Sequence, residues 1–346
     1  MVELRMSEEV GAKIAKLGFV MAFLVIVIHS FPLGVKPMCV GSLEWWVNTI
    51  VKDGACGMAV PMFFAFSGYL LGGHVNEKGW YGREVKKRFR TLLLPYLIWS
   101  ALWIVFIVPI MFRCHMPFPR GFETLKWLGL YPFDRPALYP FWYVRALLVL
   151  VVCSGVIARL LRSFGSWVLL EIFIVALVLV ALVQGKGAIF LDQILPLRNG
   201  CGLSFFALGM YLRMKDLSLK MNKKWATLLL VAGLCMVWAK AVVMYFGESD
   251  LGVRILRNLS LPLLVFGVWG CCSSRRWSRQ LTSCAFPVFC IHAFVIICLN
   301  IGMPKTINTV ALVVLKAAFA SLISILMALK FRQAFPKVSG CCFGGR

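Results

Sequence analysis

Ten runs of apolar residues, most of them about 17 to 23 long and separated by short charged stretches, constrain this chain more than any other feature. A helix needs roughly 20 residues to cross about 30 Å of hydrocarbon, so each run has the length of a span. The runs are continuous and lack the alternation of barrel strands, which makes the expected spans helical. They cover approximately residues 17–33, 55–73, 92–112, 139–160, 166–184, 200–214, 225–246, 253–271, 284–301 and 308–330. The sixth is the shortest, and a start nearer Ile189 would bring it to spanning length.

Composition agrees. With 61% hydrophobic and 15% charged residues, a 346-residue chain has too little polar surface for a soluble domain, which carries roughly 25% charged residues. The expected fold is therefore all-α: a polytopic membrane protein of about ten transmembrane helices, with residues 1–346 forming a single membrane domain. The longest connection, Arg113 to Leu138, carries Pro117, Pro119, Pro132 and Pro136 and reads as an irregular cap or interfacial helix. The first run follows Lys13 and Lys16 and lacks a small-residue cleavage site, so it is expected to be a span and not a leader.

Orientation follows from the distribution of basic residues, because cytoplasmic connections collect Lys and Arg. With the N-terminus inside, the inner connections and tails hold 23 Lys and Arg and the outer ones 12, leaving Arg145 and Lys316 inside spans. Both termini are thus expected in the cytoplasm. The net charge of +23 is accounted for by topology, and no soluble-looking segment interleaves aromatic and basic residues, so no nucleic-acid partner is expected. The 13 cysteines include no Cys-x-x-Cys spacing, which indicates neither a disulfide framework nor a metal site.

Ionisable groups inside spans are costly and are functional candidates by default. His29 ends the first run, in Val25-Ile26-Val27-Ile28-His29-Ser30. It either snorkels to the interface beside Ser30 or belongs to a site. Arg145 follows Phe141-Trp142-Tyr143 and reads either as a cation–π anchor on those rings or as a site group. His292, in Phe289-Cys290-Ile291-His292, is equally a packing residue or a site group. All 14 acidic residues lie in connections or at span ends, so no carboxylate relay crosses the membrane. Glu44 and Asp53 are the carboxylates that could reach His29. The run Lys86-Lys87-Arg88-Phe89-Arg90 is a positive-inside anchor on charge alone, while its guanidinium groups also suit phosphates. Ser67 and Gly68 form a small, polar point in a bulky helix, open to close approach by a ligand or by another backbone.

In order, these segments resemble the acyltransferase-3 family of integral membrane O-acyltransferases. The resemblance rests on a histidine ending the first span, Pro61-Met62-Phe63-Phe64-Ala65-Phe66-Ser67-Gly68-Tyr69-Leu70 in the second, and a basic run leading to Leu94-Pro95-Tyr96-Leu97-Ile98-Trp99 in the third. Phe141-Trp142-Tyr143-Val144-Arg145-Ala146-Leu147 opens the fourth. Ser204 to Leu212 and Ala285 to His292 are similar to the family's sixth-span and ninth-span patterns, so the likeness covers about residues 13 to 330.

The resemblance implies a bacterial inner-membrane enzyme that moves an acetyl or other short acyl group from cytoplasmic acyl-CoA to a hydroxyl of a cell-surface glycan or lipid-linked saccharide. Acyl-CoA, acetyl-CoA foremost, is then a co-substrate, and no tightly bound cofactor is expected. His29 takes the position of the family's essential histidine and Arg88 and Arg90 that of its donor-side motif, while Ser67, Trp142 and Arg145 fall on patterned positions that face substrate or transition state. One position departs from the pattern: Gly18 stands where the family usually has an arginine, eleven residues before the histidine, and Lys16 is the nearest base. The expected chemistry is general-base catalysis by His29 on the acceptor hydroxyl, or an acyl-histidine intermediate. Hydropathy alone supports a rival, a multispan transporter or flippase for a lipid-linked or anionic metabolite, with Arg145 as counter-charge.

Overall fold

The computed structural model describes residues 6–31, 39–113, 138–182, 202–217, 220–247, 250–302 and 310–345, and among these every regular element is a helix. The proline-rich connection over 114–137 and any start of the sixth run before residue 202 lie outside the described residues.

Each apolar run forms the body of a helix. The long helices are α1 (Glu8–Ser30), α3 (Ala59–Gly72), α5 (Leu94–Arg113), α6 (Trp142–Phe164), α7 (Ser166–Leu182), α8 (Gly202–Met214), α9 (Lys223–Tyr245), α10 (Asp250–Cys271), α12 (Ala285–Gly302) and α13 (Val310–Ala334). Shorter pieces join them: α2 (Leu43–Val47), α4 (Trp80–Arg88), α11 (Arg279–Thr282) and α14 (Pro336–Cys342). Single π-helical turns at Asn48–Lys52 and Phe89–Leu93 weld α2 toward α3 and α4 onto α5. Among the described residues seven stretches are long and apolar enough to cross a membrane: Glu8–Ser30, Leu43–Gly72, Trp80–Ile110, Tyr139–Phe164, Lys223–Tyr245, Leu251–Cys271 and Val310–Ala334. The difference from ten comes from α8, with 13 residues, and from the shorter apolar segments Ser166–Val175 and Ala285–Ile301. Exposed Val105, Val156, Val314 and Leu322 form the apolar exterior that lipid contact requires.

Local signals start and stop these helices. Ser7 caps α1 by accepting a hydrogen bond from the Val10 amide at 3.3 Å, and Glu8 and Glu9 occupy the first turn, where negative charge meets the helix dipole. Gly165, at φ 62°, ends α6 and turns the chain directly into α7.

Packing is closest where side chains are smallest. The pair α3 and α8 meets at Gly68 and Gly209: a Cβ on Gly68 would fall on the carbonyl of Phe206, and one on Gly209 on the carbonyl of Ala65. Gly72, one turn further along α3, faces the Met210 carbonyl in the same way. Of the two uses open to Ser67-Gly68, the glycine therefore serves close approach of another backbone. At the heart of the bundle α1 packs on α3, α12 and α13, with Met21, Ile26, Phe64, Phe205 and Phe206 wholly buried.

Candidate active site

The last turn of α1 presents His29, and α12 presents His292 opposite it, with ring centres 5.3 Å apart and planes inclined by 37°. His292 lies about 10 Å along α12 from Ala285 at the usual rise per residue. His29 is therefore held against the middle of that helix, and snorkelling beside Ser30 does not describe its surroundings. Ser30 turns back on its own helix and donates to the Ile26 carbonyl at 2.8 Å. Tyr139, in the 3-10 turn that leads into α6, sets its ring edge-on to His29 at 5.9 Å.

The opening of α6 supplies the opposite wall. Phe141 stacks on Phe289 at 5.8 Å with the planes 10° apart, and Tyr96 of α5 lies 5.9 Å from Phe141. Tyr143 packs against Phe63, Phe64 and Phe289, and its hydroxyl pairs with Ser67 Oγ at 3.4 Å. Arg145, one turn on from Phe141, interacts electrostatically with Tyr96. His29, Ser67 and Arg145 thus border one aromatic cluster built from α1, α3, α5, α6 and α12. Trp142, in the same turn of α6, is half-buried.

Among the described residues the ionisable neighbours that act on His29 are both bases, His292 and Lys52. Neither carboxylate expected within reach plays that part. Asp53 takes a hydrogen bond from Asn48 at 3.4 Å and lends its main-chain carbonyl to Lys240, and Glu44 sits in the first turn of α2. Lys52, in the π turn, instead places its ammonium 5.8 Å from the ring centre of Phe31.

The basic run forms a separate surface. Glu84, Lys87 and Arg88 share one face of α4 at helical spacing: Glu84 is buried, its carboxylate 3.4 Å from Lys87 Nζ and 3.6 Å from Arg88 Nε. Arg90 is exposed and, with Arg83, Glu84, Lys86, Lys87 and Thr91, lines an open recess. The π turn carries the chain from this recess into α5, and Tyr96 lies about 9 Å along the helix from Arg90. Tyr96, Phe141, Phe289, His292 and His29 then follow one another as neighbouring rings, each 5.3 to 5.9 Å from the next. A chain of neighbouring rings thus runs from Tyr96, on the helix that leaves the recess, to His29.

Contacts of α4 and of the loop before it anchor the helix there. Tyr81 donates to the Val152 carbonyl at 2.7 Å, Arg162 donates to the Val75 carbonyl, and Glu77 pairs with both His74 and Arg83. The hydrogen bond from His74, aided by the Arg83 charge, holds the Glu77 carboxyl below the usual carboxylate range.

At Gly18, where the family pattern has an arginine, a Cβ would meet nothing within 4 Å. Lys16, the nearest base, is engaged with the segment after α10. It is buried and donates to the main-chain carbonyl and hydroxyl of Ser273 at 2.7 and 2.9 Å, tying α1 to the link after α10.

Three groups were read only incompletely from the sequence. His292 lacked a visible partner because His29 is remote in the chain. Tyr143 was visible only as part of an aromatic string. Lys240, grouped with the outer connections in the charge count, is buried within α9 and donates to the carbonyls of Thr49 and Asp53, both at 3.1 Å. Its signal, a lone lysine in an apolar helix, was present.

Comparisons with known proteins give a family and a relative. Residues 19–329 match the family described as an acyltransferase domain. The chain is also similar to the succinoglycan biosynthesis protein ExoH of Rhizobium meliloti (strain 1021), with 24% identity over 271 residues that cover 73% of this chain and 68% of ExoH. No solved structure matches the chain.

Proposed function

The chain belongs to the acyltransferase-3 family and is an acyltransferase; from that premise we propose that it transfers an acetyl or other short acyl group from cytoplasmic acyl-CoA to a hydroxyl of a cell-surface glycan or lipid-linked saccharide. Family membership sets the transporter reading aside. ExoH is a succinoglycan biosynthesis protein, and that supports a saccharide acceptor. The reading includes about ten spans in the bacterial inner membrane with both termini cytoplasmic, which leaves the recess around Arg88 and Arg90 on the donor side.

The observation that carries the proposal is the placing of His29 within an aromatic cluster that reaches Tyr96, on the helix into which the basic run leads. A thioester already carries an activated acyl group, so the protein's task is positioning and proton transfer. His29 takes the proton from the acceptor hydroxyl as its oxygen attacks the thioester carbonyl. The carbon–sulfur bond then breaks, and the imidazolium returns the proton to the departing thiolate, so that ester and free thiol leave together. Arg88 and Arg90 bind donor phosphates through charge-assisted hydrogen bonds. Arg145, at the border of the cluster, offsets charge on the tetrahedral oxyanion, while Ser67 and Trp142 contact the reacting groups.

The experiment is reconstitution of the full chain in vesicles of host membrane carrying the lipid-linked saccharide, with labelled acetyl-CoA added on the Arg88 side. Label is expected in the saccharide with release of coenzyme A thiol, both lowered roughly a hundredfold or more by His29→Ala. Accumulation of intact solute without thiol release would contradict the proposal.

A further inference from the structure

His292 is wholly buried, and its two ring nitrogens are in opposite circumstances. Nδ1 lies 2.7 Å from the main-chain carbonyl of Phe289. A carbonyl has no proton to give, so Nδ1 carries the hydrogen and Nε2 carries a lone pair. Among the described residues, that Nε2 is buried without a hydrogen-bond partner. Buried polar atoms are nearly always paired, and one that is not calls for a reason. A role in packing alone supplies none, since an apolar side chain would fill the same space against Phe289 without leaving an acceptor unsatisfied.

The neighbour that gives Nε2 a use is His29, 5.3 Å away between ring centres. Each imidazole nitrogen lies about 1 Å off its ring centre, so turning the His29 ring brings two nitrogens to roughly the 3 Å of a hydrogen bond. A base that accepts a proton needs a second group to orient it and to receive its other N–H. Among the described residues no carboxylate does this for His29, whose ionisable neighbours there are His292 and Lys52. We propose that His292 is the positioning partner of His29: its Nε2, fixed as an acceptor by the bond from Nδ1 to Phe289, receives one His29 N–H and leaves the other His29 nitrogen free to take the hydroxyl proton. No proton passes to His292. It accepts the same hydrogen bond before and after His29 becomes charged, and the transferred proton stays on His29 until the thiolate takes it. This rests on the reading of His29 as the base.

The test uses the full chain in the same vesicles, with thiol release from acetyl-CoA as the readout. His292→Gln returns an acceptor oxygen close to the Nε2 position and is expected to keep turnover within about threefold of wild type. His292→Met fills the volume without a comparable acceptor and is expected to lower kcat at least tenfold with the KM for acetyl-CoA unchanged. On a His29→Ala background His292→Met is expected to change residual thiol release less than twofold, because the partner it orients is gone. Full turnover in His292→Met, equal loss in the Gln and Met variants, or a further drop on the His29→Ala background would each overturn the assignment. If His29→Ala itself retains wild-type turnover, the base is misassigned, whatever His292 does.

Discussion

Gly68→Ala is expected to loosen the contact between α3 and α8. The added Cβ would sit 2.8 Å from the Phe206 carbonyl carbon, about 0.6 Å inside the 3.4 Å at which ordinary contact begins. Backbone cannot swing aside as a side-chain tip can, so the helices must part. Overpacking of this kind costs about 1–3 kcal/mol. Gly209→Ala strikes the Ala65 carbonyl carbon at 2.9 Å from the opposite helix and should cost a similar amount. The two should not add, because separation of the helices by the first substitution accommodates the second. The assay is reversible unfolding of the purified protein in mixed micelles, with single and double variants compared. Ser67 adjoins Gly68 and pairs with Tyr143, so turnover should fall along with stability. An unchanged unfolding free energy in Gly68→Ala, or strictly additive losses in the double variant, would refute backbone-to-backbone packing at this position.

Other substitutions separate binding from architecture. Arg90→Ala, at an exposed position on the recess, should raise the KM for acetyl-CoA about tenfold with kcat and melting temperature unchanged, as loss of one charge-assisted hydrogen bond requires. Arg88→Ala should raise KM and also lower the melting temperature, because it strips the buried Glu84 of a counter-charge. Lys240→Met leaves the Thr49 and Asp53 carbonyls without their donor and should cost about 1–3 kcal/mol of stability, read by thermal unfolding, with donor KM unaltered. Because the folded Glu77 carboxyl titrates below its usual range, its stabilising contribution is present above about pH 4.3 and is lost as acidification passes the lower folded value. His74→Ala should therefore move the acid-unfolding midpoint to higher pH, and an unmoved midpoint would contradict the pairing.

What could be read in the chain was whatever hydropathy and local spacing encode. Each apolar run became a helix because a continuous apolar stretch has no other way to satisfy its backbone in lipid. The alignment of Glu84, Lys87 and Arg88 on one face of α4 also follows from helical spacing. Contacts between distant segments carry no such signal. Nothing in Val25 to Ser30 announces that His29 will meet an imidazole from α12. Nothing around Ser67-Gly68 shows whether a ligand or a helix will occupy the small point, until Gly209 is placed against it. Lys240 was misjudged because a charge near a run's end reads as a connection, whereas here it closes the π turn at Asn48–Lys52 from a neighbouring helix. The shorter helices α7, α8 and α12 escape a length criterion although their apolar content was plain.

The central claim, that His29 drives transfer of an acyl group to a saccharide hydroxyl, is tested most directly by mass spectrometry of O-acyl groups on the glycan of a host expressing either the wild-type chain or His29→Ala at equal membrane abundance. O-acyl groups should be present with the wild type and reduced to the level of the empty host with His29→Ala. Equal acylation by the two would contradict the account.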